Sequence, residues 1–166
     1  MAREVYRKII GLVLQAAELA RTVGIPNLLQ PGLVKEMIIA EHLGHELIIA
    51  KRDADACDPN DSKVLYEYLS CKEGGRGQFD RMFKEPPEKR TESLNRIRRN
   101  RQVFFAVFYA NEQTKVKVIY ALESEAVAQE TERQLDASRN VISHVGFTEQ
   151  WVRGNGVVVY EDGEGR

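Results

Sequence analysis

A mixed α/β fold is what this sequence predicts: a central mixed β-sheet flanked by helices, in one domain spanning residues 1–166. Three observations predict it. Apolar residues recur at steps of three and four across the first 45 positions, as on one face of a helix. Runs rich in β-branched and aromatic residues then occupy 45–72 and 102–122. A polar, helix-forming segment, 123–140, separates these from a last strand-like pair. No repeat, low-complexity tract or linker divides the chain.

Val5, Ile9, Leu12, Ala16, Leu19 and Val23 form the first stripe, ended by Gly24 and Pro26. It either covers a sheet or meets a copy of itself. Pro31 is expected to open a second helix, since its missing N–H costs nothing in a first turn. Leu33, Met37 and Ala40 form the inner stripe of that helix, and Gly44 closes it. Glu36 falls on the edge of the stripe, where a carboxylate needs a partner or a metal. HELIIAK (45–51) and KVLYEYLSCK (63–72) read as strands joined by an acidic loop. EGGRGQF (73–79) reads as a loop, and EPPEKRTESLNRIRRNR (85–101) as an insertion that turns helical after Thr91 or Ser93. QVFFAVFYA (102–110) is apolar on both faces and so is a central strand. After the turn NEQT (111–114), KVKVIYAL (115–122) pairs with it. Residues 123–140 form an exposed helix capped at Ser124. WVRGNGVVVY (151–160) forms a hairpin about Gly154-Asn155-Gly156.

With 43% hydrophobic and 30% charged residues, the composition is that of an ordinary soluble globular protein. The longest apolar run, VFFAVFYA (103–110), is too short to span a bilayer. MAREVYRK lacks the basic-then-apolar layout of a signal peptide. A cytoplasmic location without a membrane partner is expected, with Cys57 and Cys71 as free thiols. The net charge of −1 argues against a general polyanion binder. Yet residues 81–101 hold eight Lys/Arg against three Glu, a local +5 that leaves −6 on the rest. That segment is either a solvated helix of mixed charge or a phosphate-facing surface.

DADACDPNDSKVLYEYLSCK (53–72) is the stretch that carries chemistry. Hydrolysing a phosphodiester requires charge neutralised on the pentacovalent oxyanion and a water made nucleophilic, and Mg²⁺ serves both needs. Mg²⁺ takes oxygen ligands, usually one or two carboxylates with water and substrate phosphate. Two acids from adjoining strands supply these, and a nearby lysine steadies the phosphate or the attacking water. The stretch holds an aspartate after one strand, a glutamate within the next and a lysine close by. Glu67 is the telling residue, because its strand neighbours Val64, Leu65 and Leu69 are apolar and an internal strand seldom carries an idle carboxylate. Asp53, Asp58 and Asp61 read as loop or turn formers, with Asp58-Pro59-Asn60 a turn signal.

Asp55-Ala56-Cys57-Asp58 and Tyr66-Glu67-Tyr68-Leu69-Ser70 resemble the active-site hairpin of PD-(D/E)xK nucleases, in particular PvuII-type restriction endonucleases. That family carries Asp-Ala-x-Asp followed by Tyr-Glu-x-Lys-Ser. Weaker similarity continues in order through Val23-Gly24-Ile25, the Glu36 helix, Arg101-Gln102-Val103, Val118-Ile119-Tyr120 and Gly156 to Tyr160. It covers most of the chain except residues 84–93. The resemblance implies a PD-(D/E)xK restriction-endonuclease-like core and a Mg²⁺-dependent, sequence-specific double-strand DNA endonuclease, with Mn²⁺ able to substitute. It implies Asp55 and Glu67 as metal ligands and Glu36 as an auxiliary acid. It implies a homodimer joined through the N-terminal helix region, 1–30, with residues 84–100 an inserted basic segment.

One position departs from the family. Its lysine stands two residues after the glutamate, where this chain has Leu69. Lys72 is the expected replacement, but alternation puts it on the opposite strand face from Glu67 unless a bulge or the strand end turns it. By the same resemblance, the segment after the catalytic strand reads bases. Here that is Arg76, Gln78, Asp80 and Arg81, side chains suited to guanine, adenine and cytosine edges. Asn95, Arg96, Arg98, Arg99 and Arg101 suit phosphate contacts. The family's histidine-rich reader is missing. Three rival readings remain open: a structure-specific repair or junction nuclease on the same fold, a DNA-binding module whose nuclease site has decayed, and a globular protein with an acidic loop and no DNA role.

Overall fold

The computed structural model describes residues 2–49 and 54–163. Within them lie helices α1 (Ala2–Thr22), α2 (Leu33–Leu43), α3 (Pro87–Arg98), α4 (Ser124–Ala137) and α5 (Glu149–Asn155). The strands are β1 (Glu46–Leu47), β2 (Ala56–Asp58), β3 (Asp61–Lys72), β4 (Arg76–Phe83), β5 (Gln102–Phe108), β6 (Val116–Glu123), β7 (Ile142–Thr148) and β8 (Gly156–Glu161). Six strands form a mixed sheet in the order β1-β2-β3-β5-β6-β8, and β4 with β7 forms a separate two-stranded ribbon. Only β3 and β5 run parallel; every other pairing is antiparallel. The parallel pair requires a crossover, which β4 and α3 supply.

The central strand is β5, as its two-faced apolar pattern predicts. Val103, Phe105 and Val107 enter one core with Leu69, Phe79, Ile97, Val127 and Phe147. Phe104, Ala106 and Phe108 enter a second core on the opposite face, with Ile39, Tyr66 and Tyr68. The first core is roofed by α3, α4 and the ribbon, and the second by α2. Among the described residues, no helix is long and apolar enough to cross a membrane. Cys57 and Cys71 are buried free thiols.

Several elements depart from the sequence expectation. Gly32, at φ 87°, caps α2, which starts at Leu33, so Pro31 sits in the preceding turn. Ile39 and not Met37 joins Leu33 and Ala40 in the buried face. The expected strand over 45–51 shortens to Glu46–Leu47, and residues 50–53, Asp53 among them, lie outside the described residues. The glycine-rich segment is a tight turn at 73–75 leading directly into β4. Helix α3 begins at Pro87, and burial of Leu94 and Ile97 makes it part of the first core rather than a solvated insertion. Polar α4 likewise buries Val127, Ala128, Thr131 and Leu135. Ser124 lies inside α4, and its hydroxyl donates to the Asn100 carbonyl at 2.6 Å instead of capping. No terminal hairpin forms. Thr148 accepts from the Trp151 N–H at 3.3 Å and starts α5, whose Val152 is buried and whose Trp151 packs on Phe147. Strand β7 was not foreseen.

Helix α1 buries only Ala20. Ile9, Leu12 and Leu19 are 51%, 66% and 70% exposed, so the apolar stripe does not cover this chain's own sheet.

The ribbon lies close on the sheet because of Gly77. A Cβ there would sit 2.7 Å from the Phe105 ring and 3.2 Å from the Leu69 Cβ. Neither neighbour can yield, since both are packed in the first core. Replacing Gly77 with alanine is therefore expected to destabilise the fold by about 1–3 kcal/mol, the usual cost of overpacking a filled core. Urea denaturation reads this directly, and an unchanged midpoint would show that the ribbon can lift away.

Candidate functional site

Asp55 stands one residue before β2, whose register with β3 runs Cys57 to Leu65 and Ala56 to Tyr66. The Asp55 N–H donates to the Tyr66 carbonyl at 3.1 Å, and the Asp55 carbonyl accepts from Ile48 at 2.8 Å. Asp55 is thereby held against β3 beside Glu67, close enough for its charge to act on that carboxyl. The Asp55 Oδ2 atom accepts from the Tyr68 N–H at 2.7 Å, which fixes the carboxylate's orientation.

Glu67 is 7% exposed, and its Oε2 atom is buried with no hydrogen-bond partner. A buried carboxylate oxygen left unpaired is costly. Burial, reinforced by the Asp55 charge, pushes the Glu67 carboxyl up to about 8, against the lowering influence of Arg96 and Arg99. Burial also raises Asp55, while the Tyr68 N–H and the same two arginines favour its charged form. Glu36, in the first turn of α2, is pushed up to about 7 by burial and by Asp55. A cavity of about 650 Å³ opens beside Glu36 and Asp55, walled by Ile25, Leu33 and Ile48.

Two neighbouring carboxylates with one orphaned oxygen fit a hard cation that completes its shell with water and phosphate. Among the described residues, no three His, Cys, Asp or Glu side chains gather closely enough to hold a metal ion. Glu36, expected as an auxiliary acid and metal ligand, is not gathered with Asp55 and Glu67 as a third ligand, and adds negative potential beside them.

Lys72 is not brought to this site. From Tyr66 to Lys72 the register between β3 and β5 runs without a shift, so the bulge that would turn the lysine is missing. Lys72 sits exposed at the strand end, five positions on and on the other face from Glu67. At about 3.3 Å per residue that is roughly 16 Å away. Leu69, at the family's lysine position, is 4% exposed and belongs to the first core.

Positive charge arrives instead from α3. The Arg96 guanidinium lies 3.9 Å from the Glu67 Oε1 atom and stacks over the Phe79 ring at 5.5 Å. Arg99 acts on both Asp55 and Glu67. Arg98 points elsewhere, forming a two-pronged ion pair with Glu125 on α4 at 2.8 and 3.1 Å. Asn95 is exposed on α3.

The expected base readers lie on the ribbon. Arg76, Gln78 and Asp80 alternate outward along β4, while Gly77 and Phe79 face the core. The register with β7 shifts between Phe79 and Met82, so Asp80 and Arg81 together oppose His144. This bulge holds Arg81 at φ 54°, the only positive φ at a non-glycine among the described residues. Such a conformation costs of order 1 kcal/mol for a bulky residue and persists only where the surroundings impose it. Gln78 donates to Asp80 at 3.2 Å, and His144 Nδ1 lies 2.7 Å from the same Asp80 oxygen. His144 escaped the sequence reading because the strand that carries it did. Its alternation with buried Val145 and Phe147 was the available signal. His45 stacks on Tyr66 at 4.1 Å and bonds the Tyr68 hydroxyl at 2.8 Å, a packing role.

No protein-family model and no curated protein matches this chain.

The raised carboxyls give a pH signature. In the unfolded chain both glutamates titrate near 4.5; in the fold Glu36 does so near 7 and Glu67 near 8. Across that window the folded protein holds protons the unfolded chain has released, so their contribution to stability falls as pH rises and levels off above the folded values. Buried His45, whose pKa is lowered, works in the opposite sense at the acidic end. Comparing wild type with Glu67→Gln isolates Glu67. In EDTA, the mutant should be the more stable, with a margin that widens from pH 5 to pH 8 to on the order of 2 kcal/mol or more, at about 1.4 kcal/mol per pKa unit. Thermal melts across this range measure it, and a pH-independent difference would refute the buried-acid description.

Proposed function

We propose that this protein is a metal-dependent double-strand DNA endonuclease of the type II restriction kind, built as a single nuclease domain and working as a homodimer. The observation that carries the reading is the nearness of Asp55 to Glu67: Asp55 bonds the backbone of Tyr66 and Tyr68 on either side of Glu67, whose own carboxylate keeps one oxygen buried and unpaired. Asp55 and Glu67 would hold Mg²⁺ or Mn²⁺. Bound there, the ion supplies neutralisation of phosphoryl charge and a more acidic water. The chain's own groups do the rest. The Tyr68 N–H orients Asp55, and Glu36 deepens the negative potential that draws the cation. The ribbon presents Arg76, Gln78, Asp80 and Arg81, with His144 added, as donors and acceptors at the spacing of successive strand residues. A two-stranded ribbon is of a size the major groove admits.

A second reading, a DNA-binding module without catalysis, is favoured by one observation: Leu69 stands where a lysine is expected, and Lys72 faces away. Digestion of a plasmid library with Mg²⁺ separates the two. Discrete, sequence-dependent fragments are expected from wild type, and Glu67→Ala or Asp55→Ala should cut at least about 100-fold more slowly. DNA bound but left intact by wild type, with Mg²⁺ and with Mn²⁺, would establish the module. Random or branch-dependent cutting would point to a repair or junction nuclease.

The uncovered stripe of α1 supports the dimer. Ile9→Asp together with Leu12→Asp should leave the fold intact, since neither side chain is buried in the monomer. Light scattering should then report a monomer where wild type reports twice the mass. If wild type is itself monomeric at micromolar concentration, this part of the proposal falls.

A further inference from the structure

We propose that Arg96 is the cation of the active centre, taking from α3 the place that the strand leaves vacant at Leu69. The inference rests on the nuclease reading above. Three observations meet at this residue. The position two residues after Glu67, where the resemblance expects a lysine, holds Leu69, which is sealed in the core, and the lysine on the same strand face, Lys63, stands exposed four residues before Glu67. Arg96 lies against Glu67, with Nη2 3.9 Å from Oε1, while Arg99 adds its charge to both acids. That separation is too long for a hydrogen bond, so the guanidinium balances charge without being locked in place. Its side chain is 41% exposed, against 10% for Glu67, so it lies at the mouth of the site between the buried acid and solvent.

The position of Arg96 gives it two settings. Without a divalent ion, it stands in for the missing positive charge beside Glu67. When a divalent ion takes over the carboxylates, the guanidinium is released towards the opening, where the phosphate of a bound duplex would lie. Arginine suits this second setting, since its planar fork of N–H donors matches two phosphate oxygens. In hydrolysis the oxygen of water bonds to phosphorus and its proton passes to solvent, while the bond from phosphorus to the leaving sugar oxygen breaks and that oxygen takes a proton from solvent. Arg96 takes no proton at any stage, because a guanidinium stays charged in proteins. Its part is to hold the phosphate and offset the charge that grows on it. The stack of Arg96 on Phe79, whose neighbours Gln78 and Asp80 face outward, also ties the guanidinium to the reading ribbon.

The test uses full-length Arg96→Ala and Arg96→Lys, folding being checked by circular dichroism. Calorimetric titration of DNA-free protein with Mn²⁺ should show several-fold tighter binding to Arg96→Ala than to wild type, because a competing cation has gone. The same variant should cut plasmid about 100-fold more slowly or worse, while its gel-shift affinity for duplex in Ca²⁺ changes only a few-fold. Arg96→Lys should recover part of the cutting. Unchanged or weaker Mn²⁺ binding by Arg96→Ala overturns the proposal, and so does cutting at the wild-type rate. If wild type itself does not cut, the nuclease reading fails separately, and the Mn²⁺ titration still decides whether Arg96 holds the cation's place.

Discussion

The backbone pairing that lays β2 along β3 is the constraint on which the rest of this molecule turns. It holds Asp55 by the backbone of Tyr66 and Tyr68, on either side of Glu67. Like charges held close repel, and burial removes the water that would screen them. Such an arrangement does not stabilise a fold. It survives because the surrounding sheet is strong: β5 is buried on both faces, and the two cores hold it from above and below. The strain is spent on a place that attracts positive charge, and α3 answers it with arginines.

That answer changes what the basic segment is. A run of arginines after two prolines looks like a solvated insertion when only charge is counted. Its apolar members decide otherwise: Leu94 and Ile97 fall at helical spacing and seat the helix in the first core. Once seated, the helix turns its charged residues in different directions. Arg98 meets Glu125 and braces α3 to α4, whereas Arg96 reaches Glu67. Residues two apart on a helix point to different sides, so a cluster in sequence becomes two separate functions in space.

Much of the sheet was legible in the sequence because its signals are local. The two-faced apolar run of β5, the alternation of β6 and the polar-to-apolar passage into β3 all kept their expected roles. The misses have physical causes. Gly74 and Gly75 do mark a turn, but the glycine at 77 marks a close crossing of two sheets, which composition alone cannot tell from a loop. Residues 151–155 hold the glycine and asparagine of a hairpin, yet burial of Val152 and the Thr148 cap draw them into a helix. The acids at 55 and 67 were recognisable as a pair from their strand context. The arginine that lies against Glu67 was not, because nothing in the spacing of Glu67 and Arg96 along the chain announces that they meet. Lys72, the cation expected from the sequence, is carried by strand alternation to the opposite face.

The ribbon separates anchoring from display. Its inward residues, Gly77, Phe79 and Met82, hold it to the sheet, while Arg76, Gln78 and Asp80 face solvent and bond only within the ribbon, Asp80 to Gln78 and His144 and Arg76 to the Gly146 carbonyl. Changes confined to the outward set therefore carry little energetic penalty for the scaffold, since exposed substitutions typically shift stability by no more than about 0.5 kcal/mol. A lineage can thus rewrite what this surface contacts without rebuilding the platform beneath it.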